Sequence, residues 1–399
     1  MFALNKLPAY GSALLPQDGE HFTAKSLSQA RTFAESRDGY APTPLVQLRS
    51  LADRLGIEQL SIKDESTRFG LGSFKALGGT YAVVRTAIAA AAQATGRPVS
   101  IEEWHSPEFR ERASGMTFGC ATDGNHGKSV AAGARILGAQ AKIFVHAGVS
   151  AARIVALEML GAEVIRVDGN YDASIEEATR VCLENGWSIV SDTSWPGYEE
   201  VPGWVMEGYT PLLLEALEQL PRPPTHVFVQ AGVGGIAACI SGTLDALFGE
   251  ARPRVIVVEP SRADCLFQSL VARRPIQISS GEPTIMAMLE CFEPSLVAWR
   301  ILERTADAFM TVEEEDALAA MNTLARPHGS DMAIVSGESG CVGLAGLSRA
   351  MADRDVANAL GLNASSRVLL INTEGATDPE RYQSIVGVSA SSVARSETI

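Results

Sequence analysis

No two of the six cysteines, at positions 120, 182, 239, 265, 291 and 341, stand in a C-x-x-C pair. Neither a zinc ribbon nor a dithiol redox motif is therefore expected. Reduced, mostly buried thiols are the default for such a set in a cytosol. Cys265 and Cys291 are near enough in sequence to pair if the fold brings them together. Basic clusters are missing too: 33 Lys and Arg face 47 Asp and Glu, for a net charge of −14. Nucleic-acid backbones need grouped cations, so nonspecific nucleic-acid binding is excluded. Anionic membranes are equally poor partners, and the surplus charge keeps a cytoplasmic protein soluble. No apolar run is long enough to span a bilayer, and "AIAAAAQA" (87–94) is an alanine-rich helix face. The opening "MFALNKLPAYGSALLPQDGEHF" has no continuous apolar core and no small-residue cleavage pattern, so no signal peptide is expected. The chain also lacks an internal repeat and a linker rich in Pro, Gly or Ser.

What is present is an ordinary globular composition, 46% hydrophobic and 20% charged over 399 residues. That length suits two domains, or one large α/β unit with an insertion. The first forty residues read as irregular and polar. "GYAPTPLVQLRSLADRLG" then reads as a turn, a short extended piece and a helix, and "LSIKDES" (60–66) alternates like a strand. Residues 75–95 are helical. Beyond them, short apolar strands alternate with helices. The strands are "MTFGCA" (116–121), "AKIFVHA" (141–147), "AEVIRVD", "WSIVSD", "THVFVQA" (225–231), "PRVIVVEP" (253–260) and lastly "RVLLINTEG" (367–375). This pattern means a parallel sheet covered on both faces, with ligands at the carboxyl ends of its strands. The polar tail after Gly387 is expected to fray.

Four clusters fall at such strand ends. Lys75 opens a helix after "DESTRFGLGS", in surroundings of small and apolar residues. It is either a surface lysine whose stem snorkels to water or an amine set to form a Schiff base with a carbonyl cofactor. "TDGNHG" (122–127) sits between strand and helix. Asp123 or Asn125 would cap the helix on the plain reading, but that does not explain Gly, Asn, His and Gly together. The remaining five histidines show no metal-ligand spacing, and no metal site is expected. "QAGVGGIAA" fits a phosphate at a helix start and also G-x-G-x-x-A, through Gly232, Gly234 and Ala237. Glu259, ending the next strand, would then hold a ribose, which makes a nicotinamide enzyme a competing reading. "NTEG" (372–375) ends the last strand.

The run "SFKALGG", "TDGNHG", "AGVGG", "SGESGCVGLAGL" and "NTEG" resembles, in content and order, the fold type II pyridoxal phosphate enzymes, the tryptophan synthase β-like group. Within it, "KDESTRFGLGSFKALGG", the acid before "GNHG", "SDTSWPGY" and "SGESG" are similar to the diaminopropionate ammonia-lyase family. The resemblance covers nearly the whole chain, although "GVGG" carries fewer glycines than the four-glycine loop of many relatives. It implies an α/β protein of two domains, each a mainly parallel twisted sheet flanked by helices, with pyridoxal 5′-phosphate in the cleft between them. Residues 1–82 and 200–399 would form the large cofactor-binding domain, and 83–199 the smaller inserted one.

The resemblance also implies roles. Lys75 would carry the cofactor, its small neighbours letting the ring lie against the backbone. Gly232, Val233, Gly234 and Gly235 would hold the phosphate. Asn125 would bond the 3′-oxygen and Thr373 the pyridine nitrogen, with Glu338 of "SGESG" also at the cofactor. Ser73, Thr122, Asp123 and His126 would meet the amino-acid substrate. A neutral hydroxyl at the ring nitrogen favours β-elimination over transamination. The implied reaction turns 2,3-diaminopropionate, D or L, into pyruvate and two ammonia. The amine must leave protonated, and Asp123 and Asp192 are the candidate acids. Without the resemblance Asp192 of "SDTSW" reads as a turn residue. A homodimer is the family habit. The alternatives are a serine, threonine or hydroxyaspartate dehydratase on the same fold, and a catalytically silent binding protein.

Overall fold

The computed structural model describes residues 1–122, 124–169 and 171–395. Its strands, in chain order, are β1 (Phe2–Leu4), β2 (Leu45–Gln47), β3 (Gln59–Asp64), β4 (Thr117–Ala121), β5 (Gln140–His146), β6 (Glu163–Val167), β7 (Ser188–Ile189), β8 (His226–Gln230), β9 (Arg254–Pro260), β10 (Ala308–Val312) and β11 (Arg367–Asn372). They form two sheets, and the chain divides into two compact units, one around each sheet.

The larger unit takes Met1–Phe22, Pro42–Thr67 and the described chain from Leu212 onward. Its strand order is β1-β10-β9-β8-β11-β3-β2. The inner pairs are parallel, and β1 and β2 close the edges antiparallel. Every residue of β8 and β10 is buried, which is why central strands of a doubly covered sheet read as unbroken apolar runs. Phe228, Ile256, Val258 and Leu370 share one core cluster, and each such side chain removed from water contributes about 1.5–3 kcal/mol. Register matters most for the site. Phe228 lies opposite Leu370, and Asn372 opposite Asp64. The segments following β8, β11 and β3 therefore emerge side by side on one rim.

The smaller unit takes Thr23–Ala41 and Arg68–Pro211. Its four strands, β6-β5-β4-β7, are all parallel. The helix Lys75–Thr95 lies against the helix Asn125–Leu137 at close range. A methyl group on Gly133 would sit 2.9 Å from Val83 Cβ, and one on Gly79 would sit 2.7 Å from Ser129 Oγ. Thr80 N and Oγ1 also donate to Ser129 Oγ and O, each at 2.9 Å. Both helices fall whole within this compact unit.

Three further elements differ from the sequence reading. The opening segment is not irregular: it holds β1 and a helix at Ala24–Glu35, capped by Thr23 Oγ1 accepting from Ser26 N. Strand β10, "AFMTV", went unread among acidic neighbours. The tail carries a helix, Ala390–Arg395, that buries Val393. β1 and β10 pair with each other across the length of the chain, so neither has a strong local signal. No described helix is long and apolar enough to cross a membrane.

Candidate active site

In the smaller unit, Lys75 is the first residue of its helix, and Asp192 lies just beyond β7. The Lys75 ammonium is ion-paired with the Asp192 carboxylate, and both side chains keep some exposure, 21% and 12%. His126 is buried beside them, its Nε2 2.8 Å from the Val190 carbonyl and its Nδ1 3.8 Å from Asp192 Oδ2. A carbonyl only accepts, so Nε2 carries the proton. Burial lowers the His126 pKa below its ordinary value, with the Lys75 charge adding and Asp192 opposing. His126 is thus a neutral imidazole whose bare Nδ1 has no hydrogen-bond partner among the described residues. Burial by itself would raise the Asp192 pKa, but His126 and the Lys75 ion pair outweigh it and hold it well below the carboxylate range. With His126 neutral, the Lys75 cation is the dominant cause. Asp192, a candidate acid by the resemblance and a turn residue by its local sequence alone, lies beside Lys75.

Two of the small residues after Lys75 have a packing role. A methyl group on Gly78 would lie 2.3 Å from Tyr209 Cε1 and 2.4 Å from the Val205 carbonyl. Gly78 and Gly79 admit neighbouring helices, so helix packing accounts for their size. Thr122 also has a local task, its Oγ1 accepting from Gly124 N at 2.9 Å and Gly127 N at 3.0 Å. Thr122 therefore caps the following helix, the part that the plain reading would give to Asp123 or Asn125. Asn125 is buried as the first residue of that helix. The Ser73 hydroxyl is buried with no hydrogen-bond partner among the described residues. Asp123 lies outside the described residues.

In the larger unit, Gly232–Gly235 leads from β8 into the helix Gly235–Phe248. A methyl group on Gly232 would stand 2.9 Å from Cys291 Sγ, and Gly234 has φ 103°. The loop is thus mostly glycine backbone at a helix N-terminus, with Val233 O accepting from Ser295 N at 2.9 Å. This is a form that accepts a phosphate. Thr373 follows β11, and its Oγ1 receives a hydrogen bond from Gln230 Nε2 at 2.8 Å. Gln230 escaped the sequence reading; the available signal was an amide closing the otherwise apolar "HVFVQ". Glu338 is buried with Oε1 3.6 Å from Arg381 Nε, so its carboxylate already has a cation nearby.

Glu259 does not hold a ribose. Its buried carboxylate accepts from Leu266 N at 2.8 Å and Phe267 N at 2.7 Å, tying down the start of the helix Cys265–Ala272. With that acid engaged, the loop loses the second half of a dinucleotide site. Cys265 and Cys291 are free thiols, as are the other four. No group of three or more His, Cys, Asp or Glu among the described residues could hold a metal ion.

The family described as "Pyridoxal-phosphate dependent enzyme" matches residues 36–374. A diaminopropionate ammonia-lyase of Salmonella typhimurium is 41% identical over 364 residues, 89% of this chain and 90% of the relative. A crystal structure of holo diaminopropionate ammonia lyase from Escherichia coli superposes with a TM-score of 0.86 and 36% identity, over 97% of this chain and 96% of that one. The same lyase in complex with an aminoacrylate-PLP azomethine reaction intermediate is 37% identical, again with a TM-score of 0.86 and the same coverage.

Proposed function

Because the chain belongs to the pyridoxal-phosphate dependent enzymes, and among them to the diaminopropionate ammonia-lyase family, we propose that it converts 2,3-diaminopropionate and one water to pyruvate and two ammonia. The observation that carries this reading is the Lys75–Asp192 ion pair beside neutral His126. A carboxylate that holds one primary ammonium is suited to hold a second, that of the substrate's β-carbon. A hydroxyl substrate offers no such charge.

The residues present fit the cofactor. Three of the four residues from Gly232 to Gly235 are glycines without a Cβ, Lys75 is a partly exposed primary amine, and the Thr373 hydroxyl retains its proton for a further partner. When bound, pyridoxal phosphate supplies the electron sink that makes the α-proton acidic. Lys75 would anchor it, the amides of Gly232, Val233, Gly234 and Gly235 would take the phosphate, Asn125 the 3′-oxygen and Thr373 the ring nitrogen. Glu338 would sit nearby as a carboxylate already balanced by Arg381.

Once released from Asp192, the Lys75 amine can take a proton at Nζ from one face of the substrate. Asp192, left without its cation, takes the β-ammonium, and neutral His126 can accept from the same group through Nδ1. Asp123, by family resemblance, supplies a second acid. Ser73 lies two residues before Lys75 and would contact the substrate, while Thr122 would act through the helix that it caps. A cytoplasmic homodimer completes the proposal, supported by the family habit and by six thiols suited to a reducing compartment.

The test is pyruvate and ammonia release from diaminopropionate, serine and threonine by the cofactor-loaded protein. Diaminopropionate is expected to exceed serine at least ~10-fold in kcat/KM, since the hydroxyl analogue leaves a buried charge without its partner. Equal or greater turnover of serine would replace this reading with a dehydratase.

A further inference from the structure

The buried amide of Gln230 faces four oxygen atoms. Its Nε2 lies 2.8 Å from Thr373 Oγ1, 2.9 Å from the Gly340 carbonyl, 3.0 Å from that of Ile371 and 3.1 Å from that of Ser339. Three of the four can only accept, so the amide nitrogen, not its oxygen, must face the cluster. The Gln230 oxygen has no partner among the described residues. Two N–H hydrogens therefore serve four acceptors, and the shortest contact is to Thr373. That contact occupies Thr373 Oγ1 as an acceptor. The hydroxyl's own proton has no acceptor among the described residues, although Thr373 is only 4% exposed.

We propose that Gln230 is a positioning residue that commits Thr373 to donate its proton and so keeps the cofactor's pyridine nitrogen unprotonated. A hydroxyl without such a partner turns freely and serves a protonated or an unprotonated nitrogen equally well. Held by Gln230, it is matched only to a nitrogen that accepts; a protonated one would leave a buried donor unsatisfied. This inference rests on the reading above that Thr373 meets the ring nitrogen, and the experiment separates the two.

The protein is reconstituted with pyridoxal phosphate labelled with nitrogen-15 in the ring, and the ring signal is followed by NMR from pH 9 to pH 6. In the wild-type protein it should stay in the unprotonated region throughout. In Gln230→Met, the ring should begin to take its proton about one pH unit or more higher than in the wild type. Thr373→Val should do the same, the double variant should go no further than Thr373→Val, and Thr373→Ser should keep the wild-type signal. A Gln230→Met signal identical to the wild type, with Thr373→Val altered, overturns the role of Gln230 and keeps the Thr373 contact. Unaltered signals in both variants overturn that contact. Should Gln230→Met fail to fold, the wild-type protein still decides: a protonated ring at pH 7.5 overturns the proposal. A merely structural role for Gln230 would change stability without moving the signal.

Discussion

The Lys75 ammonium and the Asp192 carboxylate are ion partners although 117 residues separate them. Each neutralises the other's charge, so changing either changes both. Lys75→Ala is expected to lower turnover ~10³-fold or more, because the group that carries the cofactor is gone. The variant should also lose the cofactor's visible band and its fixation by borohydride, with far-UV circular dichroism unchanged. A yellow, active variant would remove the whole mechanism.

The D and L substrates present the α-proton to opposite faces of the cofactor, and one fixed base cannot reach both. Both isomers are expected to react, with Asp123→Asn mainly damaging the D isomer and Asp192→Asn the L isomer. Losses of ~10²–10⁴-fold on the affected isomer are expected for a lost general acid or base. Pyruvate release from the separate isomers tests the division; equal losses on both would mean that the two acids act together.

Gly234→Asp is expected to weaken cofactor retention at least ~10-fold. It places a side chain at φ 103°, strained by ~1–2 kcal/mol, and a carboxylate where a phosphate is proposed. Cofactor remaining after dialysis measures the effect, and full retention would put the phosphate elsewhere.

Gly78→Ala should lower stability even without cofactor, by ~1–3 kcal/mol. Its methyl group would meet Tyr209 Cε1 at 2.3 Å and the Val205 carbonyl at 2.4 Å. Urea unfolding of the cofactor-free protein reads this directly. An unchanged midpoint would return Gly78 to a role beside the cofactor.

Two histidines set an acid limit. Burial lowers the pKa of both His126 and His226 in the folded state. Their unfolded counterparts therefore bind protons first as the pH falls. The stability that this confers is complete above the unfolded value near ~6.5 and is lost as the pH falls toward the folded values, by at most ~1.4 kcal/mol per pH unit for each histidine. The denaturation midpoint at pH 7.5 and pH 5.5 tests it: His126→Asn should reduce the difference, and His126→Asn with His226→Asn should reduce it further. A difference untouched by either substitution would place the acid limit in other groups.

The alternation of short apolar strands with helices was legible from residues alone, because side-chain period and turn chemistry are local properties. So were the positions of Lys75, "TDGNHG", "QAGVGG" and "NTEG" at strand ends. The order of the sheet was not. It is decided by which strands bury which faces, and that brings β11 between β8 and β3 and puts Gln230 against Thr373, 143 residues away. Edge strand β1 and its partner β10 escaped notice because each is stabilised by the other, not by its own few residues. The same holds for function. The sequence by itself determined which side chains carry nucleophilic or acidic chemistry. Only the tertiary structure decided that Asp192 pairs with Lys75, that Thr122 and Glu259 are occupied capping helices, and that Gly78 and Gly79 are small for helix packing. Hydrogen bonds and ion pairs depend on distances of a few ångströms between residues far apart in the chain, and folding sets those distances.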